Sequence, residues 1–391
     1  MPSHITLEKM LAASVADSRQ RLRFSYEAIK NNDSRPIVLF GCGALGYRTG
    51  AALVRAHRPP AAFADNNPAK WGDTIDSIPI LSPETAVAAY GKTALFVVTI
   101  YNGAAARAQL QVLGCRYVLH FAAFYHALPS ALLPWCDLDD PAETLAAKTQ
   151  VIDAAALWRD DTSRAEYIGQ LAWRLGLPTP CLPPHDPPSE CYFPDNLFTL
   201  GEDDLVVDCG AFDGDSLRLF LSRFSSRGRY LGLEPDPDNY QRLTRFVSTL
   251  PAQIRHRVTI RQCAVASTTG KMRFEASGSV ASAGSATGSA TVQAAALDDL
   301  LESEQARLIK MDVEGAELDA LTGARRTLAR DRPILAIAAY HRASDLWAIP
   351  RLIKLLVPEY NLHLRRYAED CWDLVCYAIP PSSRSSTGAT R

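Results

Sequence analysis

The sequence predicts an α/β protein built from two consecutive units, each a parallel sheet between helices, and three observations carry that prediction. Short apolar runs alternate with helical patterns twice, at residues 36–121 and again from 205 to 379. Glycine-containing turns at 41–46 and 210–214 each follow an apolar run and open a helical one. Between the two series, six of the eleven residues 178–188 are proline.

Taken in order, residues 7–29 space Leu7, Met10, Leu11, Val15, Leu22, Ala28 and Ile29 at three- and four-residue intervals among charges, the period of a helix. Pro36-Ile37-Val38-Leu39-Phe40 is a β-rich run, and 45–56 follow as a small-residue helix. Strand 61–64, helix 83–90, buried strand 94–100, helix 104–113 and strand 117–121 complete a βαβ series over 34–128. Residues 129–194 turn to helices, at 143–159 and 163–175, and then to the proline-rich stretch. There fixed φ angles and missing N–H donors make an extended, semi-rigid bridge. The second series fills 195–380, and the Ser/Thr-rich residues 381–391 are expected to fray. Within it, residues 276–290 are nearly all Ala, Gly and Ser, offer little to bury, and read as a mobile loop beside a strand pair.

Composition excludes whole classes. The 391 residues are 47% hydrophobic and 21% charged, unlike a disordered chain. A net charge of −2 supplies no field toward nucleic acid or anionic lipid. Nine cysteines, an odd number without a Cys-x-x-Cys pair, fit a reducing cytoplasm better than a disulfide framework. The longest apolar run, 94–100, is far short of the roughly 20 residues a membrane span needs.

In the second unit every strand delivers polar residues at its carboxyl end, the edge where open α/β sheets bind ligands. Strand 205–207 runs into Asp208-Cys209-Gly210-Ala211-Phe212-Asp213-Gly214-Asp215. Its glycines let backbone approach a ligand, while three acids make a poor cradle for phosphate and a better one for a cationic ligand such as a sulfonium amino acid. Glu234 ends the next strand, where an acid can accept both hydroxyls of a ribose. Further tips carry Gln262-Cys263-Ala264, Lys310-Met311-Asp312-Val313-Glu314-Gly315-Ala316-Glu317 and Tyr340-His341, and two alternating runs, 362–367 and 374–379, close the unit as an antiparallel pair.

These blocks, with Leu297-Asp298-Asp299-Leu300 and Asp345-Leu346-Trp347, resemble the FkbM family of S-adenosylmethionine-dependent methyltransferases over residues 192–379. The resemblance implies a seven-stranded class I methyltransferase sheet and transfer of a methyl group to a hydroxyl oxygen. It assigns Asp208, Gly210, Ala211 and Gly214 to the methionine part of the cofactor, Glu234 to the ribose, and Cys263 and Ala264 to the adenine. Phe212-Asp213 departs from the family, where many members carry Asn and an apolar residue. An alcohol must lose its proton, and the candidate bases are His341, which is favoured, and Asp312. Lys310 and Asp312 share one side of their strand, so with Glu314 they can orient substrate, or Asp312 and Glu314 can hold a divalent metal. Lys310 has the alternative of a structural pair with a neighbouring acid, and Glu317 that of a first-turn helix acid.

Gly41-Cys42-Gly43-Ala44-Leu45-Gly46 matches the dinucleotide fingerprint in its required strand-to-helix setting, with Asp65 placed for a ribose. The first unit thus resembles the Rossmann-like domain of nucleotide-sugar-modifying proteins, and binding of NAD or a nucleotide sugar stands beside a purely structural role. Gly91-Lys92-Thr93 lacks the upstream glycine of a P-loop, and Cys181, His185 and Cys191 lack a fourth zinc ligand. The expected fold is two Rossmann-like αβα domains joined by a helical and proline-rich bridge. The expected function is S-adenosyl-L-methionine-dependent O-methylation of a sugar, glycan or other small-molecule acceptor. The alternatives are a nucleotide-dependent enzyme acting from the first unit and a non-catalytic cofactor-binding scaffold.

Overall fold

The computed structural model describes residues 7–29, 35–177, 182–224, 228–275, 283–284 and 290–381. Cys181, the tail beyond Pro381 and most of the 276–290 stretch lie outside them. The chain forms two compact units, the first from Met1–Lys148, Ile168–Pro183 and Ala368–Trp372, the second from Thr149–Tyr167, Pro184–Tyr367 and Asp373–Arg391. Residues 129–194 are therefore shared between the units, and the division falls inside helix Asp161–Arg174.

The expected helix 7–29 is two, Leu7–Met10 and Val15–Ile29, because the Ser14 hydroxyl accepts the Asp17 N–H at 3.0 Å and starts a new N-terminus. The strands of the first unit are β1 (Ile37–Phe40), β2 (Ala62–Ala64), β3 (Thr74–Ile75), β4 (Ile78–Leu81), β5 (Leu95–Val98) and β6 (Tyr117–His120). They lie in the order β3-β4-β2-β1-β5-β6, parallel except for β3. Sequence reading missed the β3–β4 hairpin. Its turn residues Asp76 and Ser77 both take positive φ (50° and 66°), the geometry of a tight hairpin, but carry no glycine to announce it.

The second unit contains β7 (Leu205–Cys209), β8 (Arg229–Leu233), β9 (Val258–Arg261), β10 (Ala264–Val265), β11 (Gly270–Glu275), β12 (Ala283–Gly284), β13 (Ala290–Ala295), β14 (Ala306–Met311), β15 (Ile334–Ala338), β16 (Asn361–Arg366) and β17 (Leu374–Ile379). Seven of them make the main sheet, ordered β16-β17-β15-β14-β7-β8-β9. The five from β15 to β9 run parallel, and β17 pairs antiparallel with both β15 and β16. Of the central strands β15 reads as an unbroken apolar run, while β7 and β14 are apolar but for Asp208 and for Arg307 and Lys310. A second, four-stranded sheet, β10-β13-β11-β12, takes in the part of the small-residue stretch that is described, where β12 pairs antiparallel with β11.

The main sheet packs on Val206, Leu308, Ile334 and Ala336, all fully buried, with Leu217, Phe220 and Leu243 from the covering helices. Helix Asp161–Arg174 is tied to β16 by a buried ion pair, Glu166 Oε1 to Arg366 Nε at 2.9 Å. Between β7 and β14 the strand order reverses, the place where open α/β sheets form a crevice. Among the described residues no helix is long and apolar enough to cross a membrane.

Candidate active site

The crevice is built from strand register. Parallel pairing sets Asp208 on β7 opposite Lys310 on β14 and opposite Gly232 on β8. Lys310 Nζ stands 2.9 Å from Asp208 Oδ1 and donates to the Gly210 carbonyl at 2.7 Å, while the Tyr230 hydroxyl donates to Asp208 Oδ2. Burial works against the charge on Lys310, but Asp208 and Asp312 more than offset it and hold the ammonium above its usual pKa. Lys310, named as a candidate catalytic group, is 1% exposed and spends its donors on the turn after β7.

That turn is shaped by close backbone approach. Gly210 has φ +85°, and a Cβ there would lie 1.9 Å from the Asp312 carbonyl oxygen, so no side chain fits. Ala211 is buried, Gly214 precedes helix Asp215–Phe224, and Asp213 pairs with Arg218. The acids of the turn are thus partly neutralised, Asp208 by Lys310 and Asp213 by Arg218.

Glu234, at the tip of β8, is 4% exposed. Its carboxylate accepts the Phe212 N–H and the Asp236 N–H, each at 2.9 Å, leaving acceptor capacity on both oxygens. Burial pushes its pKa up to about 7 against the pull of those donors. Beyond β9, Cys263 and Ala264 are buried at the same carboxyl edge.

The last group lies past β14. Glu317 opens helix Glu317–Thr322 and accepts the Val313 N–H at 3.0 Å, the role of a first-turn acid, yet the same oxygen meets His341 Nδ1 at 2.8 Å. The Tyr192 hydroxyl donates to Asp312 Oδ2 at 2.8 Å. His341 Nε2 faces Asp312 Oδ1 at 3.2 Å and Glu314 Oε2 at 3.8 Å. Burial opposes a charge on His341, but Glu317 and Asp312 outweigh it and hold the imidazole well above its ordinary range. Burial and the nearby Asp312 and Glu317 push Glu314 up to about 8. Tyr192, Tyr230 and the contact of Glu317 with His341 escaped sequence reading, because each joins residues 22 to 120 positions apart with no local pattern.

In the first unit Gly41 and Gly43 lie in the turn between β1 and helix Ala44–Arg55, and Gly46 in the first turn of that helix. A Cβ on Gly46 would lie 1.9 Å from the Gly41 carbonyl oxygen, so the third glycine serves close packing. Asp65 lies just past β2, and its carboxylate accepts the Cys42 N–H and the Asn67 N–H, both at 2.8 Å, and pairs with Lys70 at 3.1 Å. The acid expected to face a ribose is engaged in tying the glycine turn to its neighbour.

Sheet order and crevice together define a protein of the methyltransferase fold. The chain is similar to the crystal structure of methyltransferase FkbM from Methylobacillus flagellatus KT, with a TM-score of 0.73 and 24% identity, covering 95% of this chain and 98% of that one. Residues 208–372 match the family model described as methyltransferase FkbM domain. Hexuronic acid methyltransferase AglP of Haloferax volcanii is 30% identical over 133 residues, 32% of this chain. The chain spans about half, 52%, of the length of that relative.

Proposed function

We propose that the second unit is an S-adenosyl-L-methionine-dependent O-methyltransferase acting on a hydroxyl of a sugar, glycan or related small molecule. The observation that carries it is the pair of acids on adjacent strand tips, Asp208 locked to Lys310 and Glu234 with acceptor capacity to spare, beside a turn closed to any side chain at Gly210. These residues suit the cofactor: Glu234 would accept the ribose hydroxyls, Asp208, Gly210, Ala211 and Gly214 would line the methionine part, and Cys263 and Ala264 would flank the adenine.

When bound, S-adenosyl-L-methionine supplies a methyl carbon whose bond to sulfur breaks, with its electrons left on sulfur, as the acceptor oxygen forms the new C–O bond. The chain's own contribution is alignment of that oxygen and removal of its proton, for which position counts heavily. The hydroxyl proton passes to the cluster of Asp312, Glu314 and His341 at the end of β14 and β15. A sugar acceptor is supported by the name of the archaeal relative, whose acceptor is a hexuronic acid.

Two measurements test this. Calorimetry with S-adenosyl-L-methionine is expected to give saturable binding that Asp208→Ala abolishes or weakens at least tenfold. Incubation with methyl-labelled cofactor and a cell extract is expected to label a carbohydrate component. Absence of binding to the folded protein sinks the cofactor assignment, and label confined to protein or nucleic acid sinks the acceptor class.

A further inference from the structure

Asp312, Glu314 and His341 present ligand atoms within 4.8 Å of one another, and the state of each outer atom is what distinguishes them from a solvated acidic patch. Asp312 has its Oδ2 held by the Tyr192 hydroxyl, and His341 has its Nδ1 held by Glu317. Their inward atoms, Asp312 Oδ1 and His341 Nε2, are buried and have no hydrogen-bond partner although they face each other at 3.2 Å. The His341 residue is only 9% exposed, so water does not readily supply that partner. An ion pair without hydrogen-bond alignment leaves both buried atoms incompletely satisfied, and both converge on a third group, Glu314. The Glu314 backbone adopts φ +53°, a strained region for a side-chain-bearing residue and one found at ligand clamps.

We propose that Asp312, Glu314 and His341 bind one divalent metal ion, with Glu317 and Tyr192 as the positioning residues behind them. Ligands at right angles around an ion about 2.1 Å away stand roughly 3 Å apart, close to the 3.2 Å and 3.8 Å observed from His341 Nε2. A carboxylate behind a ligating histidine fixes its tautomer and raises its basicity, which is the relation of Glu317 to Nδ1. One imidazole and two carboxylates favour Mn²⁺, Fe²⁺, Co²⁺ or Zn²⁺ over Mg²⁺ or Ca²⁺, which prefer oxygen alone. Three protein ligands leave coordination positions for an acceptor offering adjacent oxygens, such as a sugar diol or hydroxy acid. A bound ion would make a hydroxyl held beside it more acidic, and Glu314, whose side chain is 28% exposed, would pass the released proton to solvent. His341 is then a ligand rather than the free base the sequence suggested.

This inference deepens the reading above and can fail separately from it. Full-length protein stripped by chelator is titrated with Mn²⁺ and followed by electron paramagnetic resonance, with S-adenosyl-L-methionine binding measured on the same sample. Saturable binding of a single ion per chain is expected, weakened at least tenfold in His341→Ala and in the isosteric Asp312→Asn, and about 10- to 100-fold in Glu317→Gln. Circular dichroism checks folding, and Asp312→Asn decides the matter if His341→Ala does not fold. Wild-type protein that binds no Mn²⁺, or binds it as well as folded Asp312→Asn does, overturns the metal site. Retained S-adenosyl-L-methionine binding in that case leaves the methyltransferase reading standing, and Mn²⁺ binding without cofactor binding does the reverse.

Discussion

Lys310 Nζ lies 2.9 Å from Asp208 Oδ1 across two register-matched strands, and both side chains are at most 2% exposed. Removing one partner of such a buried pair strands the other, which costs about 3–5 kcal/mol. Lys310→Met is therefore expected to lower the urea midpoint by that equivalent and to weaken cofactor binding through the turn it holds at Gly210. Combining it with Asp208→Asn should recover part of the loss. A Lys310→Met midpoint equal to wild type would show that the pair does not hold the crevice.

With Glu234 as the proposed ribose acceptor, cofactor binding is expected to depend on pH. Its pKa rises from the ordinary 4.5 to about 7 through burial, so between those values the folded chain keeps a proton that the unfolded chain loses. Ionising it makes this group's contribution to stability fall as pH rises through that window. The opposite sign holds for the ribose: an ionised carboxylate accepts two hydroxyls, whereas a protonated one surrenders part of that capacity. Affinity for S-adenosyl-L-methionine is expected to rise about tenfold or more from pH 5.5 to 8.5, and Glu234→Gln to flatten the profile. A profile equally steep in Glu234→Gln assigns the titration elsewhere.

The Glu166–Arg366 pair, with side chains 4% and 2% exposed, joins a helix outside the central series to β16. Glu166→Ala leaves the guanidinium buried without its carboxylate and is expected to destabilise the fold by about 3–5 kcal/mol. Cofactor binding, measured below the transition, should be unchanged. A loss under 1 kcal/mol in a denaturant titration would contradict the assignment.

Asp65 separates the two readings of the first unit. Its carboxylate organises the glycine turn through Cys42 and Asn67, so Asp65→Ala is expected to destabilise the protein by about 1–3 kcal/mol with no nucleotide present. Thermal melts with and without NAD check it. If the variant melts like wild type and loses only a stabilisation that NAD provides, Asp65 is a ribose ligand and not a structural tie.

Much of the fold was legible because local pattern suffices for strands buried on both faces. Ile37–Phe40, Leu95–Val98 and Ile334–Ala338 are apolar runs bounded by turn residues, as is the 205–207 part of β7, and helix Pro83–Tyr90 was found to the residue behind the cap of Ser82. The misses have local causes. Ser14 splits the first helix, Pro79 disguises β4, and the helical pattern over 143–159 is two helices, Pro141–Ala146 and Lys148–Ala155. The small sheet around β11 and β13 was visible only as a strand pair, since Ala, Gly and Ser carry almost no period.

The amino-acid order alone determined that acids stand at successive strand tips, Asp208, Glu234 and Asp312, because a strand's end is a short-range property of its neighbours. Only the tertiary structure decided what each acid does. Asp208 is matched to Lys310, Asp312 is turned by Tyr192, and Glu317, which reads locally as a helix acid, also holds His341. Those pairings depend on strand order and register, which bring together residues up to 120 positions apart, and charge compensation follows distance in space rather than along the chain.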